Sequence, residues 1–189
     1  LRPIGPAIFL GHLEALRSIT VGHSDVRIGA GVSYSEFDWV IETHFPQLGE
    51  YWNRIAGWQV RNMGTIGGNI ANGSPIGDTP PVLIALGAEV TLREGLERRT
   101  LPLEKFFIDY GRQDRKPTEF VEEIIIPKAP ASQRIAAYKI SKRRDEDISS
   151  VAAGLCVTVA AGQITEARLA FGGMAATPKR ATGAEAALL

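Results

Sequence analysis

The chain has 189 residues, which is enough for one large domain or two small ones with a substantial hydrophobic core. Its 21 Lys and Arg residues balance 21 Asp and Glu residues, so the net charge of zero provides no general attraction to nucleic acid or to an anionic membrane. The sequence has no run of about 18 apolar residues, which predicts no transmembrane helix. The single cysteine, Cys156, excludes an internal disulfide and indicates a reducing, cytoplasmic setting. The three histidines lack metal-ligand spacing, so we expect no metal site.

The first two thirds of the chain alternate between short apolar stretches and helical patterns. Residues 26–31 form an apolar stretch that predicts a strand. Residues 33–44 begin with a serine and then carry apolar side chains at helical spacing, which predicts a capped helix. The further predicted elements are a short helix over 47–54, a helix over 79–86, strands over 88–93, 98–101 and 119–127, and a short helix over 102–107.

The last third begins with Lys-Ala-Pro-Ala-Ser at 128–132, which predicts a boundary between a domain at 1–130 and a domain at 131–189. Three strand-like stretches follow, and a turn at 161–163 joins the last two as a hairpin. An alanine-rich helix begins at Gly183. The architecture is therefore predicted to be α+β, with helices on mostly antiparallel sheet. The absence of an initial methionine and the stop within an apolar helix indicate a piece of a longer protein.

Residues 60–78 are rich in glycine, asparagine and proline, and we expect an ordered loop there. Within this segment, Gly67 and Gly68 stand between the short polar side chains of Thr65 and Asn69. Adjacent glycines allow positive φ angles and close approach of the backbone to a ligand. Their amides would form a nest for a phosphate or for the rim of a flavin ring. A tight turn without a ligand is the alternative interpretation.

Two further features are charged. Asp78 lies nine residues after Asn69, and it would either cap the following helix or accept hydrogen bonds from a ribose hydroxyl. The segment from Lys139 to Ile148 carries four cationic and three acidic side chains. It is either a solvated loop with locally paired charges or an electrostatic gate beside a cofactor.

Three segments resemble one protein family, the small subunits of bacterial xanthine dehydrogenases, which are molybdenum hydroxylases. The run from Gln59 to Asp78 resembles the family's flavin-binding segment, and Lys139 to Ile148 resembles its Lys-x-Ser-x-Arg-x-Asp-x-Asp-Ile segment. Phe-Gly-Gly-Met-Ala at 171–175 resembles its third signature. The similarity covers the whole chain. It implies an FAD-binding subdomain of the vanillyl-alcohol-oxidase (PCMH) type, followed by the start of an α/β domain shared with carbon monoxide dehydrogenase flavoproteins.

The resemblance also implies which residues contact FAD. It places Asp78 at the ribose, Lys139 near the isoalloxazine ring, and the strand backbone of Val121 against the flavin. Ile55 stands where animal members carry an aromatic ring, so that stacking contact is absent. The remaining implied contacts are Thr65, Ile66, Gly67, Gly68 and Asn69. We expect no residue of the chain to act as a catalytic acid or base.

The function implied by the resemblance is electron transfer. A molybdopterin-binding large subunit hydroxylates a purine, [2Fe-2S] clusters carry the electrons to FAD, and NAD accepts them in a hetero-oligomeric enzyme. The family's [2Fe-2S] domain and first FAD loop, Gly-Gly-Thr-Asp, do not occur after Leu1, so we expect the isolated chain to hold no FAD or to hold it weakly. The alternatives are the flavin subunit of a carbon monoxide dehydrogenase or aryl-CoA reductase, and a non-catalytic assembly or scaffold protein of the same fold.

Overall fold

Two larger antiparallel sheets, one two-stranded sheet, seven α-helices and two short 3-10 helices form the regular structure in the part of the chain that the computed structural model describes, which is residue 5 and residues 9–189. The strands are β1 (Ile19–Val21), β2 (Asp25–Gly29), β3 (Glu89–Glu94), β4 (Glu97–Pro102), β5 (Phe107–Asp109), β6 (Arg112–Gln113), β7 (Phe120–Pro127), β8 (Gln133–Ile140), β9 (Val151–Ala160), β10 (Gln163–Gly172) and β11 (Lys179–Arg180). The helices are α1 (Tyr34–His44), α2 (Gly49–Asn53), α3 (Trp58–Met63), α4 (Ile66–Asn72), α5 (Thr79–Ala85), α6 (Leu103–Phe106) and α7 (Thr182–Leu188).

The first sheet has the strand order β1-β2-β7-β3-β4, and the second has the order β11-β10-β9-β8. Strands β5 and β6 form a separate small pair. The predicted α+β class, with helices on antiparallel sheet, is confirmed. None of the helices in the described residues has the length and apolarity of a membrane span.

Helix α1 begins as the sequence predicts. The Ser33 hydroxyl accepts a hydrogen bond from the Glu36 N–H, and the Glu36 carboxylate accepts one from the Ser33 N–H. This reciprocal capping box satisfies two N–H groups that a helix start otherwise leaves unpaired. Phe37 and Val40 then bury one face of the helix in the core.

Helix α5 packs against the second sheet at a glycine of β9. A Cβ atom at Gly154 would lie 2.5 Å from the Pro81 carbonyl oxygen and 2.6 Å from the Val82 Cα, so only glycine permits this approach. All seven residues of α5 are buried. The helix therefore contributes to both halves of the chain, and it ends before Gly87, whose φ is +76°.

The predicted loop over 60–78 is wrong in its first two thirds, because the structure has α3 and α4 there. Glycine and asparagine favour helices weakly, so composition predicts a loop. Burial overrides this preference, since Ile66 and Ile70 are 1% and 0% exposed in the core. The predicted hairpin between β9 and β10 is confirmed, and its central residues Ala161 and Gly162 have φ angles of +50° and +79°.

Candidate cofactor site

Helices α3 and α4 separate two clefts. We call the cleft of about 470 Å³ the glycine cleft and the cleft of about 570 Å³ the lysine cleft. Both helices contribute residues to both clefts. Eight of the nine predicted FAD contacts line one cleft or the other. Thr65, Gly67, Gly68 and Val121 line the glycine cleft, and Ile55, Asn69, Asp78 and Lys139 line the lysine cleft.

The ninth residue, Ile66, points its side chain into the core. The backbone N–H groups of residues 66–69 are also all paired within the protein. In order, they donate to Val32 O, Ala30 O, Thr65 Oγ1 and Thr65 O, at 3.0, 3.1, 3.0 and 3.0 Å. The expectation of an open amide nest is therefore wrong. These residues form the first turn of a helix, in which the N–H groups have partners already.

The two adjacent glycines have different roles. Neither has a positive φ angle, so the backbone conformation at these two positions does not require glycine, contrary to the prediction. A Cβ atom at Gly67 would lie 2.5 Å from the Cα and 2.6 Å from the carbonyl oxygen of Ala30, in the turn after β2. A Cβ atom at Gly68 would approach only the Thr65 side chain, with its Oγ1 at 2.7 Å. Gly67 thus permits close packing, whereas the exposed Gly68 borders the glycine cleft.

A buried ion pair forms one wall of the lysine cleft. The Lys139 Nζ lies 2.6 Å from Asp78 Oδ2, and the Lys139 side chain is 2% exposed. The Ser149 hydroxyl donates to Asp78 Oδ1 at 2.5 Å. Asp78 stands at the N-cap position of α5 but makes no capping hydrogen bond, so the capping alternative is wrong. The carboxylate instead links the start of α5 to the second sheet.

Two tyrosines lie beside this carboxylate. The Tyr51 hydroxyl donates to the Asp78 carbonyl oxygen at 2.6 Å, and Tyr34 lines the lysine cleft. Burial raises the pKa of both phenols above the usual value, and the negative charge of Asp78 raises the pKa of each further. Both tyrosines therefore remain neutral at physiological pH and serve as structural groups or hydrogen-bond donors, not as bases.

The buried Arg61 stabilises the turn whose residues 55–57 line the lysine cleft. Its guanidinium donates to the Trp52 and Ile55 carbonyl oxygens at 2.7 and 2.9 Å and to the Asp38 carboxylate at 2.5 Å. These bonds fix the turn in which Ala56 has a φ of +58°. The sequence did not predict this role of Arg61. Its hydrogen bonds are mostly to backbone carbonyl oxygens, which every residue has, so no residue pattern indicates them.

Arg54 was missed for the same reason. It donates to the Lys139 carbonyl oxygen at 2.7 Å, to the Ser141 hydroxyl at 3.1 Å and to the Arg144 carbonyl oxygen at 3.2 Å. One side chain next to Ile55 thus connects the wall of the lysine cleft to β8 and to the charged segment that follows it.

The charged segment, Lys139 to Ile148, has locally paired charges and also reaches the lysine cleft. Asp147 accepts a hydrogen bond from the Arg143 N–H at 2.8 Å, which lowers the pKa of its carboxyl group, and it pairs with the Arg143 guanidinium at 3.4 Å. Local charge pairing is therefore present. Glu146, Asp147 and Ile148 also line the lysine cleft, and a Cβ atom at Gly57 would lie 2.7 Å from the Glu146 Cδ.

Comparisons with known proteins agree with this arrangement. Residues 1–129 match the family described as the FAD binding domain in molybdopterin dehydrogenase, and residues 136–189 match the CO dehydrogenase flavoprotein C-terminal domain. The chain therefore belongs to the FAD-binding domain family of molybdopterin dehydrogenases. The predicted resemblance to the xanthine dehydrogenases and to the carbon monoxide dehydrogenase flavoproteins is confirmed.

Individual relatives show the same two likenesses. A xanthine dehydrogenase of Emericella nidulans is 32% identical, over 97% of this chain and 14% of that protein. The xanthine dehydrogenase/oxidase of Gallus gallus is 32% identical, over 87% of this chain and 13% of that protein. The solved carbon monoxide dehydrogenase from Hydrogenophaga pseudoflava has a TM-score of 0.87 and 33% identity, over 93% of this chain and 62% of that chain. This chain thus spans only part of each relative.

The residues of the two clefts fit FAD chemically. Both cleft volumes lie in the range of about 300–1,000 Å³ that is typical of ligand and cofactor sites. The glycine cleft has a bare backbone surface at Gly68, and the lysine cleft has a buried cation at Lys139. A cation suits the anionic groups of the cofactor, and the absence of a side chain at position 68 admits a planar or extended ligand.

Proposed function

We propose that the chain is the FAD-binding electron-transfer module of a xanthine dehydrogenase-type molybdenum hydroxylase. The chemistry that FAD supplies when bound is the passage of electrons from iron–sulfur clusters to NAD. We propose that the [2Fe-2S] clusters and a molybdopterin-binding large subunit belong to the same cytoplasmic hetero-oligomer. The family match over 1–129 and the buried Lys139 beside the lysine cleft support this proposal most directly.

The residues of the chain would share the work of binding. Thr65, Gly67, Gly68 and Val121 would contact FAD in the glycine cleft, while the buried Ile66 holds helix α4 in place. In the lysine cleft, Asn69 and Asp78 would orient the cofactor through hydrogen bonds, and Ile55 would contact it through its apolar side chain.

Lys139 would stabilise negative charge on the bound cofactor. Its ammonium group has three N–H donors, of which one is directed at Asp78 Oδ2. A buried cation acts more strongly than an exposed one because little water screens it. Its role is electrostatic and involves no proton transfer.

Direct titration tests the proposed cofactor. FAD added to the 189-residue chain should lose fluorescence as it binds, with a Kd on the order of 1–100 μM, because the N–H groups at 66–69 are not available to the pyrophosphate. The same titration of the chain unfolded in urea is the control. An absence of quenching by the folded chain, together with an absence of flavin absorption in the longer protein that contains it, would contradict FAD binding and favour the alternative of a scaffold protein.

The charged segment supports NAD as the electron acceptor, since its residues 146–148 line the lysine cleft and its exposed Arg143 and Arg144 stand just before them in the chain. In an enzyme that contains this chain, Arg143→Glu combined with Arg144→Glu should raise the KM for NAD roughly tenfold. Electron transfer from substrate to an artificial dye should stay within about twofold. Lys105→Glu, at an exposed position outside the charged segment, is a control for surface charge reversal with half of this charge change. An effect confined to the dye assay would place the segment at a subunit contact instead.

A second candidate function is the flavin subunit of a carbon monoxide dehydrogenase or an aryl-CoA reductase. The fold similarity to the Hydrogenophaga enzyme and the match over 136–189 favour the carbon monoxide branch. Oxidation of carbon monoxide, and not of a purine, by the purified complex that contains this chain would establish it.

A further inference from the structure

The side-chain amide of Asn69 has a defined orientation. Asn69 lies in the middle of α4, half-buried, and borders the lysine cleft. The Thr79 hydroxyl donates a hydrogen bond to its Oδ1 at 2.5 Å. Thr79 is 1% exposed, so its hydroxyl has no water to donate to in place of Asn69.

This contact determines whether the oxygen or the NH₂ group of the Asn69 amide is available to a ligand in the cleft. An asparagine side chain carries an acceptor oxygen and a donor NH₂ group, and the two ends are interchangeable unless a neighbour fixes them. Because the Thr79 hydroxyl occupies Oδ1, the Nδ2 group is the end left for a ligand. The Asn69 N–H is bonded to the Thr65 carbonyl oxygen at 3.0 Å, which fixes the backbone from which the side chain extends.

We infer that Thr79 is a positioning residue, which makes Asn69 a hydrogen-bond donor in the lysine cleft and so selects a ligand with an oxygen acceptor at that point. The inference rests on the proposed function, because FAD is the ligand that would supply the acceptor. A site built to donate a hydrogen bond discriminates against a group that cannot accept it. Thr79 itself, in the first turn of α5 beneath the cleft, does not contact the ligand.

Paired substitutions at Thr79 test the inference. Thr79→Val has nearly the same shape but lacks the hydroxyl, whereas Thr79→Ser keeps it. Thr79→Val should weaken FAD binding in the fluorescence titration about tenfold, and Thr79→Ser should stay within about twofold of the unmodified chain. In ¹⁵N NMR spectra, the Asn69 side-chain NH₂ signals should shift on FAD addition in the unmodified and Ser proteins, and much less in the Val protein.

Substitutions at Asn69 keep the test decisive if Thr79→Val does not fold. Asn69→Asp removes the donor and retains an acceptor of the same size, so it should lose at least as much affinity as Asn69→Ala. Retention of FAD affinity by Asn69→Asp or by a folded Thr79→Val would overturn the inference, as would equal losses in Thr79→Val and Thr79→Ser. A lack of FAD binding both by the unmodified chain and by the longer protein that contains it would instead overturn the proposed function.

Discussion

Gly67→Ala should destabilise the fold by at least about 3 kcal/mol, near or above the upper end of typical overpacking costs. The added Cβ would lie 2.5 Å from the Ala30 Cα and 2.6 Å from its carbonyl oxygen. These are backbone atoms of the turn after β2, which cannot rotate away as a side chain does. If α4 moved to make room, it would lose the hydrogen bond from the Gly67 N–H to the Ala30 carbonyl oxygen at 3.1 Å. The midpoint of urea denaturation measures the effect.

The neighbouring Gly68 provides the matched control. Gly68→Ala should change the free energy of unfolding by no more than about 1 kcal/mol, because its Cβ approaches only the Thr65 side chain and alanine favours a helix. Gly68→Val should remain folded but weaken FAD binding more than tenfold, since it fills the wall of the glycine cleft. The glycine-rich sequence alone predicts that valine at either position gives protein without FAD, even where the chain folds. Equal stability losses at the two positions would support that simpler view and contradict the structure-based distinction.

Lys139→Met should be the most destabilising change at the lysine cleft, at about 3–5 kcal/mol, because it leaves the Asp78 carboxylate buried without its counterion. Asp78→Asn should also destabilise, since it leaves the ammonium without a partner. The double variant should be more stable than the sum of the two single losses predicts, by roughly 1–3 kcal/mol. Replacement of both charges removes the need to bury either one.

A double-mutant cycle of urea unfolding curves measures this coupling. The exposed pair of Lys116 and Glu94 serves as the reference cycle, and it should show no measurable coupling because water screens it. FAD titrations of the same variants, made where each is folded, should show weaker binding for Asp78→Asn as well. Additive losses for Lys139 and Asp78 would mean that the ion pair contributes nothing to the fold.

Local signals explain what the sequence could predict. The start of α1 depends on Ser33 and Glu36, which are three residues apart, and the hairpin between β9 and β10 depends on the turn at Ala161 and Gly162. Such elements are defined by neighbours in sequence, so the chain itself contains the evidence. The family resemblance then supplied the candidate site residues, and the structure places eight of the nine at two clefts.

Other features depend on residues far apart in sequence. Asp78 and Lys139 are 61 residues apart, and nothing near either one indicates that they form a buried pair. Composition at 60–78 indicates a loop, because the apolar anchors that make α4 a helix find their partners only in the folded core. The N–H groups of Ile66 and Gly67 find their acceptors at Val32 and Ala30, far away in sequence, and those of Gly68 and Asn69 bond to Thr65 once α4 forms, so the predicted amide nest does not exist.

The position of Arg54 has a consequence for self-association. Strand β8 is the outermost strand of its sheet, and its exposed side chains include Tyr138 and Ile140. An open sheet edge of this kind is a template on which another chain can add a strand. Arg54 donates to the Lys139 carbonyl oxygen on this strand at 2.7 Å, and so occupies one of the acceptors that an incoming strand would need. A residue that shapes the cofactor cleft thus also blocks one hydrogen-bonding position at the edge of the second sheet.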